Sequence, residues 1–204
     1  MTVPHREPHE PSSFREASKE ALLFFLRPLV RWLSVMRVRP DTLTVIGWTL
    51  ALFSAVLFGL GYARIAGVVM LLGGLFDALD GAVARESNLM SSFGAFLDST
   101  LDRLSESAIF VGLIFFYASA SRPYEALLAG VAMTFSLLTS YARARAEGLN
   151  IDCEVGILER AGRIVILSVL SILGLPTVGL ALVAAGALVT TAQRILHVRR
   201  ATRA

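Results

Sequence analysis

The chain has 204 residues, 55% of them in the hydrophobic class, with a mean hydropathy of +0.65 and a formal net charge of +3. A water-soluble domain of this length rarely needs so much apolar surface, so an ordinary soluble domain is excluded and a membrane protein is indicated. The single cysteine, Cys153, excludes an internal disulfide, and no zinc-ligand or dinucleotide-binding spacing, internal repeat or second soluble domain interrupts the chain.

Residues 1–12 open with the charged stretch MTVPHREPHEPS, which no compact apolar run with a small-residue cleavage site follows, so they are read as a mobile tail that is retained. Residues 13–39 follow as a juxtamembrane amphipathic helix. Ser12 or Ser13 can cap it, and Leu22, Phe25, Leu26, Leu29, Val30 and Leu33 recur at helical spacing opposite Arg15, Lys19, Arg27 and Arg31. Pro28 is the expected kink.

Residues 40–204 form the membrane domain. Apolar windows approaching the ~20 residues needed to cross a bilayer open at Thr44 (TVIGWTLALFSAVLFGLGYA), Arg64, Glu106, Glu125, Ile164 and Thr177. Extended into their polar flanks, they predict an all-α integral membrane fold with six transmembrane helices. Of the 19 Lys and Arg residues, only Arg64 and Arg122 fall in the first and third connections. Positive-inside bias therefore puts both termini of this multi-pass protein in the cytoplasm, in a cell (inner or plasma) membrane.

The stretch DALDGAVARESNLMSSFGAFLDSTLD, from Asp77 to Asp102, sets four aspartates among these greasy segments. Asp77 and Asp80 are three apart and Asp98 and Asp102 four apart, so each pair shares a helix face. A turn near ESNLMSS would bring the two faces together. A carboxylate at mid-membrane costs roughly 2.5–3.5 kcal/mol on insertion scales, and four facing one another also repel, so a cation belongs between them. Hard oxygen ligands on two helices suit Mg²⁺ or Mn²⁺, and paired ions about 3.5–4 Å apart are a recurrent device of phosphoryl chemistry. Gly81, Ala82 and Ala84, with Gly94 and Ala95, are small enough to admit a flat base or a diphosphate to the backbone, and Arg85 supplies a cation for phosphate. Each feature alone has a bland reading as a solvated helix end, a cap or a packing contact; their combination within 26 residues does not.

Asp77-x2-Asp80-Gly81-x2-Ala84-Arg85-x8-Gly94-x3-Asp98-x3-Asp102 resembles, position for position, the signature of the CDP-alcohol phosphotransferases, membrane enzymes of phospholipid synthesis. The resemblance implies six transmembrane helices, a juxtamembrane amphipathic helix and a homodimer. It also implies that Asp77, Asp80, Asp98 and Asp102 hold two Mg²⁺ ions (Mn²⁺ is an alternative), with Asp102 doubling as general base. By the same resemblance the segment PDTLT contributes Asp41, Thr42, Leu43 and Thr44 to CDP-lipid binding, alongside Gly81, Ala84, Arg85, Ser91 and Gly94. An ordinary capped helix start at Asp41 or Thr42 is compatible with that role, because a helix N-terminus favours an anion.

The acceptor has to be read from the C-terminal half. SYARARAE (Ser140–Glu147), ERAGR (Glu159–Arg163) and Gln193-Arg194 resemble phosphatidylinositol phosphate synthases, a branch with a phosphorylated acceptor. That resemblance implies a cup of Arg143, Arg160 and Arg194 for inositol phosphate, to which CDP-diacylglycerol would pass its phosphatidyl group with release of CMP. Arg143 stands where the branch has lysine, and Ala161 and Gly162 where it has proline and glutamate. Glycerol 3-phosphate, free inositol or serine as acceptor, and an archaeal ether lipid as donor, are the alternatives within the family. From other classes, an ion carrier using intramembrane aspartates and a catalytically silent scaffold are the rivals. No nucleic-acid partner is expected. His5, His9 and His197 read as solvated, Trp32 and Trp48 as interfacial anchors, and Glu106, four residues beyond Asp102, as a supporting group or one that faces the bundle interior.

Overall fold

The computed structural model describes residues 14–203, and side chains from residue 25 onward. The expected tail, the cap at Ser12 or Ser13, His5 and His9, and the side chains of Arg15, Lys19 and Leu22 lie outside what is described. The described residues form seven helices: α1 (Phe14–Val35), α2 (Pro40–Gly59), α3 (Ala63–Glu86), α4 (Ser92–Ser119), α5 (Pro123–Glu147), α6 (Arg160–Ile172) and α7 (Pro176–Ala201). Pro40, Pro123 and Pro176 occupy the starts of α2, α5 and α7, where a missing N–H removes no helical hydrogen bond.

Helices α2 to α7 pack as a closed ring in the order α2, α4, α5, α7, α6, α3 and back to α2, with α1 outside against α3. Small residues set the crossings. A Cβ on Gly47 would lie 3.2 Å from the Gly73 carbonyl oxygen, one on Gly67 2.6 Å from that of Ser168, and one on Gly112 would collide with Ala55. With no water to drive association inside lipid, such close backbone approach is what makes helices cohere. Buried hydroxyls add cross-links: Ser54 donates to the Ala66 carbonyl at 2.8 Å, and Thr139 bonds both the Ala187 carbonyl and Thr191.

Four helices, α2, α3, α5 and α7, are long and apolar enough to cross a bilayer, and the chain is a membrane protein. Two of the six expected spans differ from that description for physical reasons. The stretch of α4 up to Glu106 carries Asp98, Asp102, Arg103 and Glu106, and α6, at 13 residues, is about 20 Å long against a ~30 Å hydrocarbon core. Helix α1 continues past Pro28; it buries Val30 against Leu43, Leu79 and Val83 while exposing Phe25, Trp32 and Arg31.

Candidate active site

The aspartates are brought together by a tight turn between α3 and α4. Asn88 takes a positive φ of 52°, a conformation asparagine tolerates, and Ser91 caps α4 by accepting a hydrogen bond from the Gly94 N–H at 3.0 Å. The two helices are not neighbours in the ring, α2 standing between them, yet their acidic faces converge on its interior. Asp77, Asp98 and Asp102 each present a carboxylate oxygen within 4.8 Å of the other two. Asp80 is buried beside them; its Oδ2, and Oδ1 of Asp98, are buried without a hydrogen-bond partner among the described residues.

A guanidinium reaches this cluster. From the first turn of α6, Arg160 places one terminal nitrogen 2.8 Å from Asp77 Oδ2 and the other 2.8 Å from Asp102 Oδ1. Arg160 is the guanidinium in contact with the cluster, with Arg103 near Asp98, yet buried carboxylate oxygens of Asp80 and Asp98 keep no partner among the described residues, and such oxygens are expensive. An oxygen-only donor set of this kind fits a hard divalent cation.

Beside the cluster is a cleft of about 170 Å³ between the starts of α2 and α4 and the end of α3. Asp41, Thr44, Gly81, Ala84, Arg85, Ser91 and Gly94 all line it, with Asp80 and Asp98 on its wall. Two of the nine residues expected for CDP-lipid binding are elsewhere: Leu43 is buried against α1 and α3, and Thr42 is not in the lining. The glycines matter at close quarters here. A Cβ on Gly94 would stand 3.0 Å from Ser91 Oγ and 3.5 Å from Asp41 Oδ1, and one on Gly81 would meet the Arg85 guanidinium at 3.4 Å.

The three arginines expected to form a cup each hold a different partner. Arg143 pairs with Glu147 at 2.7 Å and approaches Glu154 at 3.6 Å; Arg160 binds the aspartates; Arg194 is 3% exposed and donates to the carbonyls of Val155 (3.0 Å) and Thr139 (2.6 Å). Arg194 belongs to a polar face of α7 that holds the irregular 148–159 segment. Thr190 and Gln193 accept from the Leu158 and Ile157 N–H groups, and His197 bonds the Asp152 carbonyl at 2.9 Å. His197, expected to be solvated, is thus tied to that segment, and the spacing 190, 193, 194, 197 is the helical signal that could have revealed it.

A second arginine contact crosses the ring deeper in. Arg163 Nε lies 2.7 Å from Glu106 Oε1 and its NH2 2.9 Å from Oε2, with both residues buried. Trp48, expected as an interfacial anchor, is half-buried, and its indole ring lines a small interior cavity of about 30 Å³ that also touches Asp77, Asp102, Glu106 and Arg160.

The sequence profile of the CDP-alcohol phosphatidyltransferase family matches residues 37–193. The chain is similar to an archaetidylinositol phosphate synthase of Methanothermobacter thermautotrophicus, 37% identical over 76% of this chain and 80% of that one. It is also similar to the phosphatidylinositol phosphate synthase of Mycobacterium tuberculosis, 33% identical over 87% of each chain. Crystal structures of the mycobacterial enzyme with CDP-DAG bound, and in complex with manganese and citrate, both superpose with a TM-score of 0.76 at 32% identity; each covers 84% of this chain, and this chain covers 92% and 87% of theirs.

Proposed function

Because the chain belongs to the CDP-alcohol phosphatidyltransferase family, we propose that it transfers a phosphatidyl group from CDP-diacylglycerol to inositol phosphate, giving phosphatidylinositol phosphate and CMP. The observation that carries this reading is that Asp98 belongs both to the three-carboxylate cluster and to the wall of the donor cleft. A diphosphate seated in that cleft lies against the carboxylates. Relatives named for two different lipids share inositol phosphate in their names, which supports the acceptor.

In this account Asp77, Asp80, Asp98 and Asp102 hold two Mg²⁺ ions, with Mn²⁺ able to replace them. Bound there, the ions neutralise the diphosphate and the charge that develops on the departing CMP. Arg85, Ser91 and the backbone opened by Gly81 and Gly94 seat the nucleotide side. An apolar groove of about 500 Å³ beside Asp77, lined by Leu71, Leu72, Leu75 and Val165, takes the acyl chains from the side. An acceptor hydroxyl attacks the β-phosphorus, a new P–O bond forms as the bond to CMP breaks, and Asp102 accepts the hydroxyl proton.

The acceptor phosphate is held by Arg143, Arg160 and Arg194, the planar guanidinium of Arg160 turning from carboxylate to phosphate oxygens, both of which suit its fork. The first step toward that arrangement is release of Arg160 from Asp77 and Asp102. Six transmembrane helices (α2–α7), an interfacial α1 joined to residues 1–12, cytoplasmic termini and active site, and a homodimer complete the account. Mass analysis of the lipid made from CDP-diacylglycerol and inositol phosphate tests it: a product retaining both phosphates supports the reading, and a product only with an unphosphorylated alcohol rejects the acceptor.

A further inference from the structure

Glu106 and Arg163 have no part in the chemistry above, yet they form the most buried ion pair among the described residues. Glu106 is one helical turn beyond Asp102 on α4, and Arg163 one turn beyond Arg160 on α6. The two helices are not neighbours in the ring. Their side chains therefore meet across its interior in two rungs, Asp102 with Arg160 at the site and Glu106 with Arg163 about 5 Å deeper. Arg160 and Glu106 line the same small cavity.

A buried ion pair is weak support for stability, because desolvating two charges offsets most of their attraction. A two-point fork between planar groups does fix something else: the separation of the helices and the rotation of each about its axis. Helix α6 needs such a fix. It is short, and it follows the irregular 148–159 segment. A slip of one residue moves Arg160 by about 1.5 Å along the axis and 100° around it, which takes its guanidinium off the site.

We infer that the Glu106–Arg163 fork is a positioning pair that sets the register of α6 and so delivers Arg160 to the aspartates and the acceptor phosphate. It acts on acceptor binding and leaves the donor cleft, built from α2, α3 and α4, untouched. The inference rests on the reading of Arg160 as an acceptor-phosphate residue.

The test compares the purified full-length wild type with Arg163→Lys, which keeps the charge but loses the fork, Glu106→Gln, which keeps the shape but loses the charge, and Arg160→Ala. At saturating Mg²⁺, each folded fork variant is expected to raise the KM for inositol phosphate by about tenfold, within the ~100-fold that a 1 Å misplacement can cost. The KM for CDP-diacylglycerol stays within about twofold in the same variants. Mn²⁺ binding measured without substrates shifts in the same direction as in Arg160→Ala, since both free the carboxylates from the guanidinium. Should the single variants fail to fold, the apolar pair Glu106→Leu with Arg163→Met removes both charges together and is expected to show the same rise in acceptor KM. Folded fork variants with wild-type acceptor KM and Mn²⁺ binding, whatever their melting temperature, overturn the inference while Arg160→Ala still raises acceptor KM. If Arg160→Ala leaves acceptor KM unchanged, the acceptor reading itself falls, and the inference with it.

Discussion

Arg160 and Asp102 meet at 2.8 Å across the interior of the helix ring, the same guanidinium binding Asp77 at an equal distance. The side chain expected to bind the acceptor's phosphate thus rests on two carboxylates of the proposed metal centre. In the proposed metal centre, cation binding and the release of Arg160 would be coupled, Arg160 competing with the ion for the same oxygens.

Replacing Arg160 by alanine removes that competitor. Its side chain and that of Asp102 are 22% and 16% exposed, so the pair is partly solvated and contributes about 1 kcal/mol, or about fivefold in affinity. Arg160→Ala is expected to bind Mn²⁺ about fivefold more tightly, read by titration calorimetry or electron paramagnetic resonance. Unchanged or weaker Mn²⁺ binding would show that the guanidinium and the ion do not share a position.

Gly94→Ala adds one methyl group where Ser91 Oγ and Asp41 Oδ1 already stand at 3.0 and 3.5 Å. The donor cleft narrows and the backbone is covered. The expected outcome is a KM for CDP-diacylglycerol raised by about tenfold or less, with acceptor KM and melting temperature near wild type. A rise confined to acceptor KM would move the nucleotide out of this cleft.

Arg194→Ala deletes a buried charged donor and leaves the carbonyls of Val155 and Thr139 without it. Two charge-assisted hydrogen bonds lost from a buried site cost about 3 kcal/mol together. A lower melting temperature and faster proteolysis within residues 148–159 are the expected readouts. A variant as stable as wild type but with raised acceptor KM would assign Arg194 to the acceptor alone.

Chelation of divalent ions is expected to abolish turnover while leaving the helical circular dichroism signal intact, since the ring is closed by apolar and small-residue contacts that do not involve the carboxylates. Mn²⁺ or Mg²⁺ should restore activity. Loss of helicity on chelation would instead make the ion structural.

The helices were legible because their apolar windows are long, and the faces of the aspartate pairs because the 3.6-residue period makes Asp77 and Asp80, or Asp98 and Asp102, neighbours. The start of α4 was less plain: its first polar turn is helical because Ser91 caps it and the turn at Asn88 folds it back. Contacts across the ring were not legible at all. Arg160 and Asp77 are 83 residues apart and Arg163 and Glu106 are 57 apart, and no local period links residues on helices that are not consecutive. The same applies to Arg194: nothing in its sequence position reveals that it donates to the carbonyls of Val155 and Thr139, 39 and 55 residues away.

The most direct test of the central claim is CMP release by the purified protein with CDP-diacylglycerol and Mg²⁺, offering inositol phosphate, free inositol, glycerol 3-phosphate and serine separately, with Asp102→Asn as control. Turnover with inositol phosphate alone, abolished in Asp102→Asn, is the predicted result. Turnover that survives in Asp102→Asn would contradict the assignment of the carboxylate cluster as the catalytic centre, and turnover only with another alcohol would contradict the acceptor.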